Sequence, residues 1–454
     1  MQKILVLGAG KSSFHLIQYL LSHAAENNWL ITVGDYDKKA AQNKIIGYEI
    51  LAEAIQFDAQ DSFVCDRYIN LADVVISLLP PALHIHAAKS CVKLEKSLFT
   101  ASYISSEIRQ LDAEARQKGL LLMNELGLDP GIDHLSAMKI IHELQAKGAE
   151  ITSFKSYTGG LIAPEYDNNC WNYKFTWNPR NVVVAGQGTA KYIRNGNYKY
   201  VPYHRLFADI ESIHVANYGE FEGYPNRDSL SYRNVYGLDN ISTMIRGTLR
   251  KKGFSKAWDT FVQLGMTDDG YKMEQTETMT YRDFLTAFLP ENNTQENKNQ
   301  TTEQKLAHFL GENSENDKNI GGEIYHKIKW LGLLDNTKVG IAHLSPAQIL
   351  QQILEIKWKL ADNDKDMIVM QHIFEYQLDG KSHQLTSSMV VKGDSSEATA
   401  MSKTVGLPLA IGAKLFLQGK LNLIGVQVPV MREVYEPVLQ ELETLGIRFE
   451  EQLD

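Results

Sequence analysis

Gly8-Ala-Gly10-Lys11-Ser12-Ser13 follows directly on the apolar run Ile4-Leu-Val-Leu7 and precedes residues in helical spacing. Glycines in such a turn let the backbone approach a pyrophosphate, whose charge is then held at the start of the helix. Ser13 stands where these turns carry a third glycine. About 25 residues on, Asp35 ends a second apolar run, where a carboxylate can accept hydrogen bonds from the ribose hydroxyls of a dinucleotide. The other role open to Asp35 and Asp37 is to form a turn or to cap the helix before Lys38. Asp58, ending a third run, is a candidate for the adenine edge or for a helix cap. At the ends of later runs, Leu79-Pro80-Pro81 can line a cofactor and Thr100-Ala-Ser102-Tyr103 a substrate. The loop Asn124-Glu-Leu-Gly-Leu-Asp129-Pro-Gly-Ile-Asp-His134 gathers polar residues between a strand and a helix, and its Gly/Pro content also fits a simple turn.

These residues need a frame that sets them along one edge. Apolar strands are expected at Ile4–Leu7, Trp29–Val33, Ala54–Phe57, Ala72–Leu79, Ser97–Thr100 and Leu120–Met123, alternating with helices over Ser13–Ala24, Lys38–Ile45 and Leu83–Leu94. Strands that are apolar along their whole length imply a parallel sheet covered on both faces. From about Glu150 the rhythm changes to aromatic and Gly-rich segments, as in Tyr157-Thr-Gly-Gly160 and Tyr173-Lys174-Phe-Thr-Trp177, which predicts a second α+β region. Trp258–Leu354 reads as helical, interrupted by the polar run Glu291–Gln300, which cannot bury apolar area and reads as an exposed loop. Met367–Val391 returns to strand-like alternation, and Ala398–Leu417 reads as a buried helix rich in small residues.

The expected division is a dinucleotide-binding domain over 1–124, onto which about 420–454 packs back, a substrate-carrying α+β domain from 125–255 and 360–420, and a small mainly helical domain over 256–359. With 454 residues the chain exceeds the size at which single cores stop growing. A net charge of −9 gives no basic stripe for nucleic acid. The opening ten residues do not fit a signal peptide, because no small-residue cleavage site follows the apolar run. No run of about 18 uncharged apolar residues marks a membrane span. Cys65, Cys91 and Cys170 lie far apart without a C-x-x-C pair, which points to a reducing cytoplasm and away from a disulfide scaffold or zinc ribbon. No H-E-x-x-H or Cys/His cluster occurs, and His84-Ile-His86 alone is too little for a metal site.

Several blocks together carry a resemblance. Thr100-Ala-Ser-Tyr103, Met123 to His134, Ser156-Tyr-Thr-Gly-Gly160 with Ala163-Pro-Glu165, Tyr173 to Trp177, Tyr224-Pro-Asn-Arg-Asp-Ser229, Ile245-Arg-Gly-Thr-Leu249 and Ala400-Met-Ser-Lys-Thr-Val-Gly-Leu-Pro408 are similar to motifs of the glutamate-forming saccharopine dehydrogenases. The match runs in order along nearly the whole chain and is weakest around Pro290–Asp317. The resemblance implies a variant Rossmann domain, a second α/β domain for substrate and a small helical domain. It implies interconversion of saccharopine with glutamate and 2-aminoadipate 6-semialdehyde, using NAD or NADP. By the same resemblance Ser102, Tyr103, Asp129, Arg227 and Arg246-Gly247-Thr248 contact the substrate, while Gly8 to Ser13, Asp35 and Leu79 hold the cofactor. Relatives that use NADP tend to carry a basic residue just after the second strand, whereas this chain has Gly34-Asp-Tyr-Asp37, which favours NAD.

The chemistry fits residue types. Saccharopine is a secondary amine with three carboxylates, so its site calls for guanidinium groups that pair with carboxylates bidentately. Arg227 and Arg246 are those candidates, with Arg233 and Arg250 read as surface charges. Proton transfer at the amine and activation of water fall to Asp129, Tyr103 or Lys174, which the sequence does not rank. A carboxynorspermidine-type reductase, whose substrates carry fewer carboxylates, and a catalytically silent dinucleotide sensor are the competing readings. Oligomeric state is not legible in the sequence, although a homodimer through the second domain is compatible with it.

Overall fold

The computed structural model describes residues 1–184, 188–291, 300–311 and 322–454. Most of the polar run Glu291–Gln300 and part of Pro290–Asp317 therefore lie outside the described residues. The chain divides into two compact units: Met1–Gly160 with Tyr232–Ile241 and Asp362–Asp454, and Leu161–Ser231 with Ser242–Ala361.

In the first unit the apolar runs become β1 (Gln2–Leu7), β2 (Trp29–Asp35), β3 (Ala52–Gln56), β4 (Val74–Ser77), β5 (Ser97–Thr100) and β6 (Leu121–Met123). Among the described residues they form a parallel sheet in the order β6-β5-β4-β1-β2-β3, extended beyond β6 by the short strand Gly425–Gln427. Every residue of β4 is buried on both sides, which is why it reads as an unbroken apolar word. One face packs Leu5, Leu7, Val75, Leu98 and Leu122 against the helices Ser62–Asn70 and His84–Lys93. On the other face Phe99 meets Phe416 edge-on at 5.6 Å, within the helix Ala400–Leu417 that lies beside the helix Phe14–Asn27. Burying one such side chain stabilises by about 1.5 to 3 kcal/mol, so the two layers together fix the sheet that carries the site.

Ala400–Leu417 is long and apolar enough to cross a membrane by length and composition, but 72% of it is buried inside the protein, as in a core helix. Its first turn is tied down by Asp366, whose two carboxylate oxygens accept the Ala400 and Met401 amides at 2.6 and 2.9 Å. The expected alternation of Met367–Val391 resolves into a long antiparallel hairpin, Asp366–Leu378 with Lys381–Lys392. Glu150–Ile162 neighbours this hairpin on one side and Glu450–Leu453 on the other.

The second unit contains an antiparallel run of Glu211–Val215, Gly219–Pro225 and Thr243–Lys251, and the hairpin Ala190–Arg194 with Asn197–Val201. Its helices form around an aromatic core of Trp171, Tyr173, Phe254, Trp258, Phe261 and Trp358. Three of these helices begin with capping boxes, Thr280 with Asp283, Thr301 with Gln304 and Ser345 with Gln348, each satisfying amide donors that a helix start leaves unpaired.

Candidate functional site

The glycine turn is built as its sequence requires. Gly8 has φ +104°, and a Cβ there would stand 2.9 Å from the Leu78 carbonyl oxygen, so only glycine fits. At Gly10 a Cβ would meet nothing within 4 Å. The protein's own packing does not call for a glycine there, whereas a pyrophosphate approaching the backbone does. Ser13 closes the turn in place of a third glycine, its Oγ donating to the Gly10 carbonyl at 2.8 Å. Lys11 is exposed and Ser12 half-buried beside it.

Asp35 links this turn to the residue that caps the next helix and does not itself cap that helix. Its carboxylate accepts the Ala9 amide at 2.7 Å and the Asp37 amide at 2.9 Å. The helix cap is Asp37, which accepts the Lys39 amide. A carboxylate oxygen has two lone pairs, so each Asp35 oxygen keeps one for a ribose hydroxyl. Asp58 closes a local turn through the Gln60 amide at 2.9 Å, and the following helix Ser62–Asn70 is capped by Asp61. Leu79 packs on the core beside the glycine turn, and exposed Pro80 leads into a single helical turn over Pro81–Leu83. The residues fit a dinucleotide: a glycine cradle, an anchored acid and a helix start converge at the carboxyl ends of β1 and β2.

At the ends of β5 and β6 lie Ser102, Tyr103 and Asp129. The Tyr103 hydroxyl donates to Asp129 Oδ1 at 3.1 Å, and both residues are half-buried. The loop carrying Asp129 is a compact fold of its own. Gly131, at φ +148°, lies so close to Gly127 that a Cβ would come within 2.1 Å of the Gly127 backbone. The polar residues around Asp129 turn inward. Glu125, only 4% exposed, receives the Tyr232 hydroxyl at 2.7 Å, the His134 Nε2 at 3.0 Å and the Ile104 amide at 3.1 Å. Burial pushes the Glu125 carboxyl up, but the facing His134 and the hydrogen bonds from His134, Tyr232 and Ile104 outweigh it, leaving the group below the usual carboxylate range. His134 Nδ1 meets the Tyr236 hydroxyl at 2.5 Å, and Asp133 takes the Gly131 amide at 2.6 Å. Much of this loop is thus a buried network that holds Asp129 in place.

The remaining candidates belong to the second unit. The Arg246 amide donates to Ser229 Oγ at 2.9 Å and its carbonyl accepts the Asn226 amide at 2.8 Å, so Arg227 and Arg246 lie on adjoining backbone. Arg227 is exposed with φ +52°, whereas Arg246 is 6% exposed. Gly247 and Thr248 stand opposite Pro225 and Tyr224. Lys174 is 5% exposed within the aromatic core and pulls on the Asp167 carboxyl, which burial nonetheless holds above its usual range. Arg250 is not the surface charge expected of it: it is 6% exposed, and its guanidinium lies over the Tyr173 and Phe254 rings at 5.1 and 5.4 Å.

Sequence reasoning missed Glu125, Tyr232 and Tyr236 as a unit, and it missed His84. The His84 ring is 2% exposed, with Nδ1 2.8 Å from Ser77 Oγ and Nε2 2.7 Å from Ser102 Oγ. Burial lowers its pKa to about 4. Its position at the first turn of a helix after Pro80-Pro81, at the ligand edge of a parallel sheet, was the available signal.

Comparison with known proteins gives matching results at three levels. Residues 4–123 match the saccharopine dehydrogenase NADP binding domain, and residues 127–447 match the saccharopine dehydrogenase C-terminal domain. The chain is 34% identical over 463 residues to the bovine mitochondrial alpha-aminoadipic semialdehyde synthase, covering 99% of this chain and 47% of that protein. It thus spans about half the length of that relative. With the Saccharomyces cerevisiae saccharopine dehydrogenase [NADP(+), L-glutamate-forming] it shares 32% identity over 97% of both chains. The solved structure of the apo saccharopine dehydrogenase (L-Glu forming) from Saccharomyces cerevisiae superposes over 100% of both chains with a TM-score of 0.87. The NAD complex of homospermidine synthase from Legionella pneumophila, 9% identical with a TM-score of 0.56, shares the fold. The domain matches cover both halves of the chain, and the yeast relative exceeds 30% identity from end to end. This chain therefore belongs to the saccharopine dehydrogenase family.

Proposed function

We propose that the protein is an NAD(P)-dependent saccharopine dehydrogenase of the L-glutamate-forming type, interconverting saccharopine and water with glutamate and 2-aminoadipate 6-semialdehyde. The observation that carries this reading is the end-to-end correspondence, in sequence and structure, with a yeast protein named for that reaction. When bound, the nicotinamide supplies the acceptor for the hydride that leaves the carbon next to nitrogen. The chain's own work is to hold the substrate and manage protons. Arg227, Arg246, Gly247 and Thr248 receive carboxylates, and Ser102 donates a hydrogen bond to another. The amine must be neutral before hydride leaves, and the resulting imine takes up water before it separates into amine and aldehyde. Asp129, oriented by Tyr103, is the acceptor for these protons, with Tyr103 and Lys174 the other candidates.

Within this reading NAD is the preferred cofactor. Asp35 is held by the Ala9 amide of the turn and by the Asp37 amide on its other side. A ribose 2′-phosphate about 4 Å away would meet repulsion on the order of 4 kcal/mol per unit charge at an effective dielectric of about 20, before rotation and ions relieve it. The neighbouring Tyr36 is 73% exposed and brings no positive charge. A reducing compartment such as the cytoplasm suits three free thiols, of which Cys65 and Cys91 are buried and Cys170 is exposed. The deciding measurement is appearance of reduced-cofactor absorbance with saccharopine, together with glutamate release. Failure with both NAD+ and NADP+, while a polyamine adduct reacts, would replace saccharopine by a polyamine substrate.

A further inference from the structure

In the chain Ser77–His84–Ser102, the buried Ser77 and His84 are not accounted for by the residues that hold cofactor and substrate. All three residues lie at the carboxyl ends of β4 and β5, where open parallel sheets bind their ligands. Ser77 is 0% exposed, and among the described contacts its Oγ meets His84 Nδ1 at 2.8 Å. A buried hydroxyl hydrogen must find an acceptor. A neutral imidazole offers one N–H and one lone pair, so two hydroxyls on opposite nitrogens play opposite roles. Ser77, sealed from water, donates to Nδ1. The ring proton is then on Nε2 and points at Ser102 Oγ, 2.7 Å away. Ser102 thereby receives a hydrogen bond, and its own hydrogen is directed elsewhere. Thr100 Oγ1 lies farther off, at 3.4 Å from both ring nitrogens, and accepts the Ser102 amide at 3.3 Å. The low pKa of the buried ring keeps it neutral across the physiological range.

We propose that His84 is a positioning residue whose Nε2–H sets Ser102 as a hydrogen-bond donor toward a substrate carboxylate, with Ser77 selecting the tautomer. A carboxylate only accepts, so a serine presenting lone pairs would repel it and a serine presenting its hydrogen binds it. The inference rests on the reading that Ser102 contacts substrate.

The test is a double-mutant cycle on the purified full chain, scored by KM for saccharopine, KM for cofactor and kcat, with thermal unfolding as a fold check. Ser102→Ala and His84→Leu are each expected to raise the saccharopine KM by roughly tenfold, the loss of one hydrogen bond to a charged group. Cofactor KM should hold in both variants. The double variant should be no worse than the worse single one, because both remove the same bond. His84→Gln, which keeps an N–H donor, should recover KM to within about threefold. Ser77→Ala, which leaves the ring and nearly all the volume in place, should raise KM in the same direction by less, and it carries the test if His84→Leu does not fold. Multiplicative effects of His84→Leu and Ser102→Ala, or an unchanged KM in His84→Leu or Ser77→Ala, would overturn the relay while leaving Ser102 as a substrate contact. An unchanged KM in Ser102→Ala would overturn both the relay and that contact, though not the reaction, which stands on the native enzyme's activity.

Discussion

The glycine turn and the Asn124–His134 loop stand on the same edge of one sheet and satisfy their polar groups in opposite ways. At the turn, partners are near in sequence or one strand away: Ser13 bonds Gly10, and Asp35 takes the Ala9 and Asp37 amides. In the loop, partners come from far along the chain. Glu125 is held by Tyr232, and His134 by Tyr236. A locally satisfied turn tolerates the loss of one side chain, because backbone geometry survives it. A remotely satisfied loop does not, since each lost group leaves a buried partner unpaired.

The largest expected effect follows from that contrast. Glu125→Ala should lower unfolding stability by several kcal/mol, because it leaves the Tyr232, His134 and Ile104 donors without their acceptor at about 1 to 3 kcal/mol for each buried group. Denaturant unfolding measures it, and a loss below about 1 kcal/mol would mean that His134 and Tyr232 find other partners and that the loop is no more dependent than the turn.

Acid should reach the loop side next, through His84. Its ring stays neutral in the folded protein down to about pH 4, while in the unfolded chain it takes a proton from pH 6.5. The native state therefore binds fewer protons, and stability is intact above pH 6.5, falls as pH drops toward 4 and levels below that. The total is about 3 kcal/mol, and it should appear as a pH-dependent difference in stability between native protein and His84→Gln across a pH series. A pH-independent difference between the two would show the ring to be solvated.

Arg227, exposed and held to Lys191 through its carbonyl, should behave like the turn in stability and unlike it in function. Arg227→Met is expected to leave unfolding unchanged and to raise the saccharopine KM by about 10 to 150-fold. An unchanged KM would make it a structural arginine. Asp129→Asn should lower kcat by at least about tenfold with the fold preserved. If instead stability falls and kcat per folded molecule holds, Asp129 belongs to the loop's scaffold along with Glu125.

The smallest effect lies on the turn. Native protein should favour NAD+ over NADP+ by about tenfold in kcat/KM, and Asp35→Ser should erase that preference with little loss of stability. A native preference for NADP+ that survives Asp35→Ser would leave the carboxylate with its two backbone amides as its whole role.

What the sequence made legible follows the same division. β1, β2, β4, β5 and β6 read directly because they are largely buried on both faces, β3 read only from Ala54 on because Glu53 and Gln56 are exposed, and the glycine turn read because its signature lies within six residues. The strand Gly425–Gln427 did not, since three residues carry no period and its partner β6 is some 300 positions earlier. Glu125 with Tyr232 and the Ser77–His84–Ser102 chain are matters of spatial pairing that no local pattern encodes. Arg250 misled for a related reason: an arginine near a polar motif reads as solvated, but here it lies over two aromatic rings in a core built from residues far apart in sequence. Arg227, Arg246 and Lys174 were named by motif alone, and their roles remain with the experiments above.

The order in which the chain is made has a consequence for the first unit, which draws on three separate segments, the last beginning at Asp362. A ribosome releases the glycine turn and β1 to β6 long before Gly425–Gln427 and the helix Ala400–Leu417 exist. Until then β6 has an unpaired edge, and Phe99 and its neighbours lack the helix that covers them. Such an intermediate exposes both an open strand edge and an apolar face, the two features that invite aggregation. The nascent dinucleotide half is therefore a natural client for chaperones, and a fragment ending before residue 400 would share its exposed surfaces without the means to cover them.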